Sequence, residues 1–173
     1  MKHLKFQFKM LIAAAALALV SVGLFAADAD YGALGAKEKA GLSLEQMLTY
    51  AIQDEYLARA EYEAIMKRHG DIRPFSNIIR SEEQHIAWLK ELFTQHNLKV
   101  PADTSRDHLL IPADLKAAFQ TGVQAEVDNI AMYEAFLGNA SALPADVREL
   151  FERLKGASEN HLRAFRQNLS RYN

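Results

Sequence analysis

Residues 51–65, AIQDEYLARAEYEAI, and residues 122–136, GVQAEVDNIAMYEAF, decide how this chain is read. At an offset of 71 they share Gln53/Gln124, Glu55/Glu126, Ala60/Ala131, Tyr62/Tyr133, Glu63/Glu134 and Ala64/Ala135. A second pair of segments repeats at an offset of 76, with Phe75/Phe151, Glu83/Glu159 and His85/His161 in register. Tyr, His and Phe recurring in the same order imply a repeated supersecondary unit. The apolar spacing around these positions has the period of a helix. The unit is therefore a helical hairpin used twice.

Working outward, Ser43-Leu-Glu-Gln46 is a capping-box signature. It opens a first long helix that is expected from Leu44 to Arg68, with Gly70 just past its end. A second helix is expected from Pro74 to His96, since proline suits the first helical turn. Residues 98–111 hold Pro101, Asp103, Thr104, Ser105 and Asp107 and read as a long connection. A third helix is expected from Pro112 to Gly138 and a fourth from Pro144 to about Arg171. Short turns within each hairpin make its two helices antiparallel neighbours. The expected fold is all-α, an antiparallel four-helix bundle over residues 43–173.

The N-terminus reads differently. Lys2, Lys5 and Lys9 precede an uncharged apolar run from Met10 to Ala27, the layout of a secretory signal peptide. Small residues permit cleavage after Ala26 or after Ala29, so residues 1–29 are taken as the leader and residues 30–42 as a flexible lead-in. Uncleaved, the same run, close to the ~18-residue lower limit for spanning, would anchor the protein in a membrane. Cleavage would place it in the periplasm or outside the cell. The whole chain of 173 residues has a net charge of −2, and loss of three lysines with residues 1–26 takes it to −5. This balance argues against a nucleic-acid protein, which would show a basic patch. The chain has no cysteine. That excludes disulfides, thiolate zinc sites, iron–sulfur clusters and a cysteine nucleophile.

The informative residues are polar ones in the middle of apolar stripes. With about 100° of rotation per residue, Leu48, Ala51, Tyr62 and Met66 fall on the same side of the first helix as Glu55. Phe119, Gly122, Ile130 and Tyr133 surround Glu126 on the third. Ile78, Leu89 and Leu92 flank His85 on the second, with Glu82 one turn earlier. Leu150, Leu154 and Phe165 flank His161 on the fourth. A bundle core containing Glu55, Glu82, His85, Glu126 and His161 would bury three carboxylates at a cost of several kcal/mol each. A bound divalent ion supplies the missing positive charge. Glu82-x-x-His85 can grip one ion from a single helical face. Tyr62 and Tyr133 read as core residues with hydrogen-bonded hydroxyls, while Asp54, Glu61, Glu83 and Lys67 read as a solvated face.

This constellation resembles the ferritin-like di-iron carboxylate proteins, and within them the rubrerythrin-like branch. It is most similar to an uncharacterised family of exported bacterial ferritin-like domains. The resemblance spans residues 43–172. It implies Glu55 and Glu126 as terminal carboxylates, Glu82 as a bridging carboxylate, and His85 and His161 each on one metal. Glu55-x6-Tyr62 resembles the first-helix motif of that branch. One departure stands on the fourth helix, where Ser158 occupies the place of the second Glu-x-x-His glutamate. Three carboxylates leave two divalent ions at +1 and one ion at −1, so both stoichiometries stay open. Oxygen and imidazole donors suit iron or manganese, with zinc as an alternative. The resemblance implies oxidoreductase chemistry with O2 or peroxide, of ferroxidase or peroxide-reducing type, fed by an external electron donor. The alternatives are a non-catalytic metal-binding or iron-handling protein and a structural bundle with a decayed site. A homodimer is left open.

Overall fold

The computed structural model of the protein describes residues 30–138 and 143–172. The leader expected over residues 1–29 lies outside them. The described residues are all helical: α1 (Gly32–Ala36), α2 (Leu44–His69), α3 (Phe75–Gln95), α4 (Leu115–Gly138) and α5 (Ala145–Leu169). Short 3-10 turns occur at Ser105–His108 and Ser170–Tyr172, and no strand is present among the described residues. None of the described helices is long and apolar enough to cross a membrane.

The helix ends follow local chemistry. Ser43 caps α2 through both bonds of the capping box: its hydroxyl accepts from the Gln46 N–H at 3.2 Å, and the Gln46 side chain accepts from the Ser43 N–H at 2.9 Å. Gly70 ends α2 at φ 87°, a left-handed value that a side chain would disfavour. The helix expected from Pro112 begins three residues later, at Leu115. Asp114 starts it instead, with its carboxylate accepting from the Ala117 N–H at 2.8 Å and its carbonyl from the Ala118 N–H at 2.9 Å. An aspartate cap satisfies otherwise orphaned N–H groups, which a proline two residues earlier does not do.

α2 packs along α3 and α4 along α5, and smaller contacts of α2 with α4 and of α3 with α5 close the bundle. The apolar side chains form two separate clusters. One gathers Leu48, Ile52, Leu89, Phe93, Tyr133, Phe136, Phe151 and Leu154. The other gathers Tyr62, Ile65, Phe75, Ile78, Ala118, Phe119 and Phe165. Between Ile52 and Tyr62, between Ile78 and Leu89, and between their counterparts on α4 and α5 lies a layer that neither cluster fills. The second cluster is tight: a Cβ on Gly122 would come within 2.8 Å of the Phe165 ring.

The lead-in differs from expectation. Within residues 30–42, read from sequence as flexible, Gly32–Ala36 forms a helical turn in which Gly32, Ala33, Gly35 and Ala36 are buried. The cause is a docking site on α2. The Ala33 N–H donates to Asp54 Oδ1 at 2.8 Å and the Gly32 N–H to Gln53 Oε1 at 3.3 Å. Small residues let the backbone come this close. Gly32 has φ 58°, and a Cβ there would sit 2.7 Å from Asp54 Oδ1. Gly32→Ala is therefore expected to destabilise the fold by about 1–3 kcal/mol, measured by urea unfolding. A change below about 0.5 kcal/mol, the level of an ordinary surface substitution, would show that this contact contributes nothing.

Candidate metal centre

The layer between the two apolar clusters is ionisable. Glu55 on α2, Glu82 and His85 on α3, Glu126 on α4 and His161 on α5 are all between 3% and 8% exposed. The structure brings the five together. His85 Nδ1 lies 3.1 Å from Glu55 Oε2 and 2.9 Å from Glu82 Oε2. His161 Nδ1 lies 3.2 Å from Glu82 Oε1 and 3.5 Å from Glu126 Oε1. The imidazole rings stack with centroids 5.9 Å apart. Two groups result, Glu55/Glu82/His85 and Glu82/Glu126/His161, each with donor atoms within 4.8 Å of one another, and each could hold a metal ion. Glu82 belongs to both, with one oxygen turned to each histidine.

The repeated segments exchange hydrogen bonds across this layer. The Tyr62 hydroxyl on α2 donates to Glu126 Oε1 on α4 at 3.0 Å. The Tyr133 hydroxyl on α4 donates to Glu55 Oε1 on α2 at 2.9 Å. Glu55 and Glu126 are thus each held by the tyrosine of the other repeated segment: Glu55 takes Tyr133 on Oε1 and turns Oε2 to His85, whereas Glu126 meets both Tyr62 and His161 through Oε1. Burial raises both tyrosine hydroxyls well above their ordinary range, so they stay protonated donors.

The electrostatics show how five ionisable groups tolerate burial together. Burial and the neighbouring Glu82 charge push Glu55 up to about 7. Burial alone would raise Glu82 too, but the hydrogen bonds from His161 and His85 outweigh it and hold that carboxyl below its ordinary value. Burial pulls both imidazoles down, yet the facing carboxylates win, holding His85 at about 10 and His161 at about 9. The protonated imidazoles supply positive charge to a layer of three carboxylates.

Residues 45–172 match the family described as "Uncharacterized protein domain (DUF2202)". The chain belongs to this family. All five clustered residues lie within the span it shares with DUF2202. A crystal structure described as hypothetical protein MJ0754 from Methanococcus jannaschii DSM 2661 is similar at TM-score 0.65 and 24% identity. The similarity covers 78% of this chain and 85% of that one, and it is a likeness of fold. No curated protein matches the chain.

Sequence reading placed Asp54 and Glu61 on a solvated face, and the structure corrects this. Glu61 is buried, and burial together with the Asp54 charge pushes it up to about 8. Asp54 accepts from Ala33 on one oxygen and from Asn129 Nδ2 at 2.7 Å on the other, and burial pushes it up to about 7. Asn129 Oδ1 in turn accepts from the Ser158 hydroxyl at 2.6 Å. The chain Ala33–Asp54–Asn129–Ser158 thus runs from the N-terminal turn to the position where the repeat lacks its second glutamate. The helical wheel hid Asp54 and Asn129 because both lie off the central line of their stripes. The alignment of the halves carried the signal: Glu82 pairs with Ser158 at the same place where Ala58 pairs with Asn129. Glu83 and Lys67 are exposed as expected, and the repeated pair Glu63 and Glu134 is exposed too.

A pH dependence follows for the metal-free protein. Raised folded-state values at Glu55, Glu61, Asp54, His85 and His161 all mean that the folded state holds protons the unfolded chain releases. Stability carried by these groups is present at low pH and lost as pH rises, through about 7 for Glu55 and Asp54, about 8 for Glu61, and about 9–10 for the histidines. Glu82 runs the other way, losing its contribution as pH falls below its ordinary value. In chelator, the melting temperature is expected to fall steadily from about pH 5 to about pH 10. A flat profile across that window would contradict the protonated cluster.

Proposed function

We propose that this protein is an exported, ferritin-like metal-binding protein whose centre holds two divalent ions, iron or manganese, for oxidoreductase chemistry on O2 or peroxide. The observation that carries the reading is the sharing of Glu82 between two buried Glu/Glu/His groups. One group supports a single ion, whereas a carboxylate presenting one oxygen to each of two groups is what a bridged pair requires. The exchange of Tyr62 and Tyr133 hydrogen bonds between the repeated segments supports the reading of the bundle as a hairpin used twice.

The chain's own residues divide the work. Glu82 sets the spacing of the two places, and Tyr62 and Tyr133 hold Glu126 and Glu55 in fixed rotamers. His85 and His161 provide the only neutral donors once their protons leave. Iron bound there would supply one-electron redox steps to an oxygen-based substrate. The donor set is all oxygen and nitrogen, and the chain has no cysteine for an electron-transfer centre of its own, so reducing equivalents would come from a separate protein or small molecule. The basic start and apolar run of residues 1–29 support export through the leader.

A second reading, one ion held for structure or storage, is favoured by one observation: Ser158 stands where a fourth carboxylate would complete the pair. Elemental analysis of the purified protein separates the two. About two ions per chain, with near-ultraviolet absorption developing when the ferrous form meets air, is the expected result. Glu82→Ala is expected to lose both ions and His161→Ala to weaken one place selectively. The single tryptophan, Trp88, stacks on His85 at 5.8 Å, so its fluorescence should quench as iron loads. One ion with no response to air would favour the second reading. No bound metal, with melting unchanged in both variants, would overturn both.

A further inference from the structure

Away from the central layer, one groove combines unbalanced positive charge with an uncovered aliphatic lining. It lies between α2 and the stretch that runs on from the 3-10 turn at Ser105–His108, and its volume is about 630 Å3. Sites that take small molecules have roughly 300–1,000 Å3. Ala64, nine residues after Glu55, falls about 180° round the helix from it, so the groove opens on the side of α2 turned away from the candidate metal ligands. Its apolar lining is Ala60 and Ala64 from α2 with Leu109 and Ile111 from the connection, and no aromatic ring takes part. Ile111 is 56% exposed and its neighbour Leu110 57%, an adjacent pair of large aliphatic side chains left in water.

The charged lining consists of Lys67, Arg68, Arg106 and the acid Glu63. Arg106 lies 3.4 Å from Glu63, so these two offset each other. Arg68 donates to the Pro112 carbonyl at 3.1 Å, a neutral acceptor that leaves its charge uncompensated. Lys67 has no ion-pair partner among the described residues. Two net positive charges thus border the groove, on a chain whose own net charge is −2. Cations at one end of an aliphatic surface complement a ligand with an anionic head and a flexible hydrocarbon body. We propose that the groove binds one medium-chain fatty-acid anion, with its carboxylate at Lys67 and Arg68 and its chain along Ala60, Ala64, Leu109 and Ile111. A guanidinium pairs with a carboxylate through charge-assisted hydrogen bonds, and each methylene taken out of water adds affinity. At 1.5 Å per residue, Ala60 and Lys67 lie about 10 Å apart along α2, a length that an extended chain of about eight carbons covers. The site neither needs the central layer nor touches it.

The test is calorimetric titration of the purified protein with sodium decanoate below its micelle concentration. About one decanoate per chain is expected, with affinity falling roughly threefold for each methylene removed between decanoate and hexanoate. Decyltrimethylammonium, which has the same chain on a cationic head, is expected to bind about tenfold more weakly or worse, since it loses the charge pairing and meets like charge instead. Lys67→Gln, a change at an exposed side chain, is expected to weaken decanoate about fivefold. Ala64→Leu, its helical content checked by circular dichroism, fills the floor of the groove and is expected to weaken decanoate about tenfold or more. Decanoate affinity unchanged in both variants would overturn the proposal, as would equal affinity for the cationic amphiphile or no decanoate bound at all. Many decanoates per chain would overturn it as adsorption without a site. Phosphatidylglycerol vesicles bound by a protein that ignores decanoate would overturn it too, and would assign Leu110, Ile111 and the cations to a membrane surface.

Discussion

Everything in this bundle is arranged around one constraint: a slab of five ionisable side chains must be kept out of water. Three carboxylates and two imidazoles sit between two apolar clusters that would otherwise be one continuous core. A buried charge left unpaired costs several kcal/mol, so each member is pinned to others. His85 and His161 share Glu82, and the two tyrosines hold the outer glutamates. Four helices have to meet at one level for this to work, which fixes the axial position of each helix more tightly than apolar packing would. Interdigitated apolar side chains tolerate exchange of one hydrophobe for another at modest cost, whereas a hydrogen-bonded ionic network does not slide by a turn.

The layer was legible in the sequence because its chemistry contradicts its surroundings. Glu55, Glu82, His85, Glu126 and His161 each fall where periodicity calls for an apolar side chain, and an offending residue on every long helix is hard to read any other way. The helices were legible too, through the capping box at Ser43 and the glycine at 70. What sequence reading lost were features fixed by neighbours distant in the chain. Nothing local to residues 31–36 says that their N–H groups will find Asp54 and Gln53, so a glycine- and alanine-rich stretch reads as loose. Asp54 looks like a surface acid until α1 and α4 meet it through Ala33 and Asn129, and Glu61 looks like one although the folded chain buries it. The start of α4 moved because Asp114 outcompeted Pro112 as a helix opener, a contest between two good signals two residues apart.

The asymmetry between the halves carries as much information as their likeness. Where the repeat is kept, at the tyrosine–glutamate pairs, the two sides serve each other in the same way. Where it is broken, at Glu82/Ser158, the partner position changes with it, from Ala58 to Asn129. The change puts a hydrogen-bonded Ser158–Asn129 pair where the other side has a carboxylate and a methyl group, so each position is matched to its neighbour as in a packed interior. The network running outward from Ser158 through Asn129 and Asp54 ends on the backbone of α1. The N-terminal turn is therefore tied to the middle of the molecule, although it touches none of the five central residues.

The crossed tyrosines have a consequence for how the chain is held together. Each outer carboxylate takes one of its hydrogen bonds from the tyrosine of the other repeated segment, so pulling the two segments apart costs Glu55 and Glu126 a donor each at once. Residues 96–114, which join α3 to α4, are then a leash and not a clamp. They bring the two halves to the same place, and Arg59 and Arg68 pin them to α2 through Asp103 and the Pro112 carbonyl. The cohesion itself is written into the side chains facing inward. A chain nicked by a protease within that stretch has every reason to remain one folded particle.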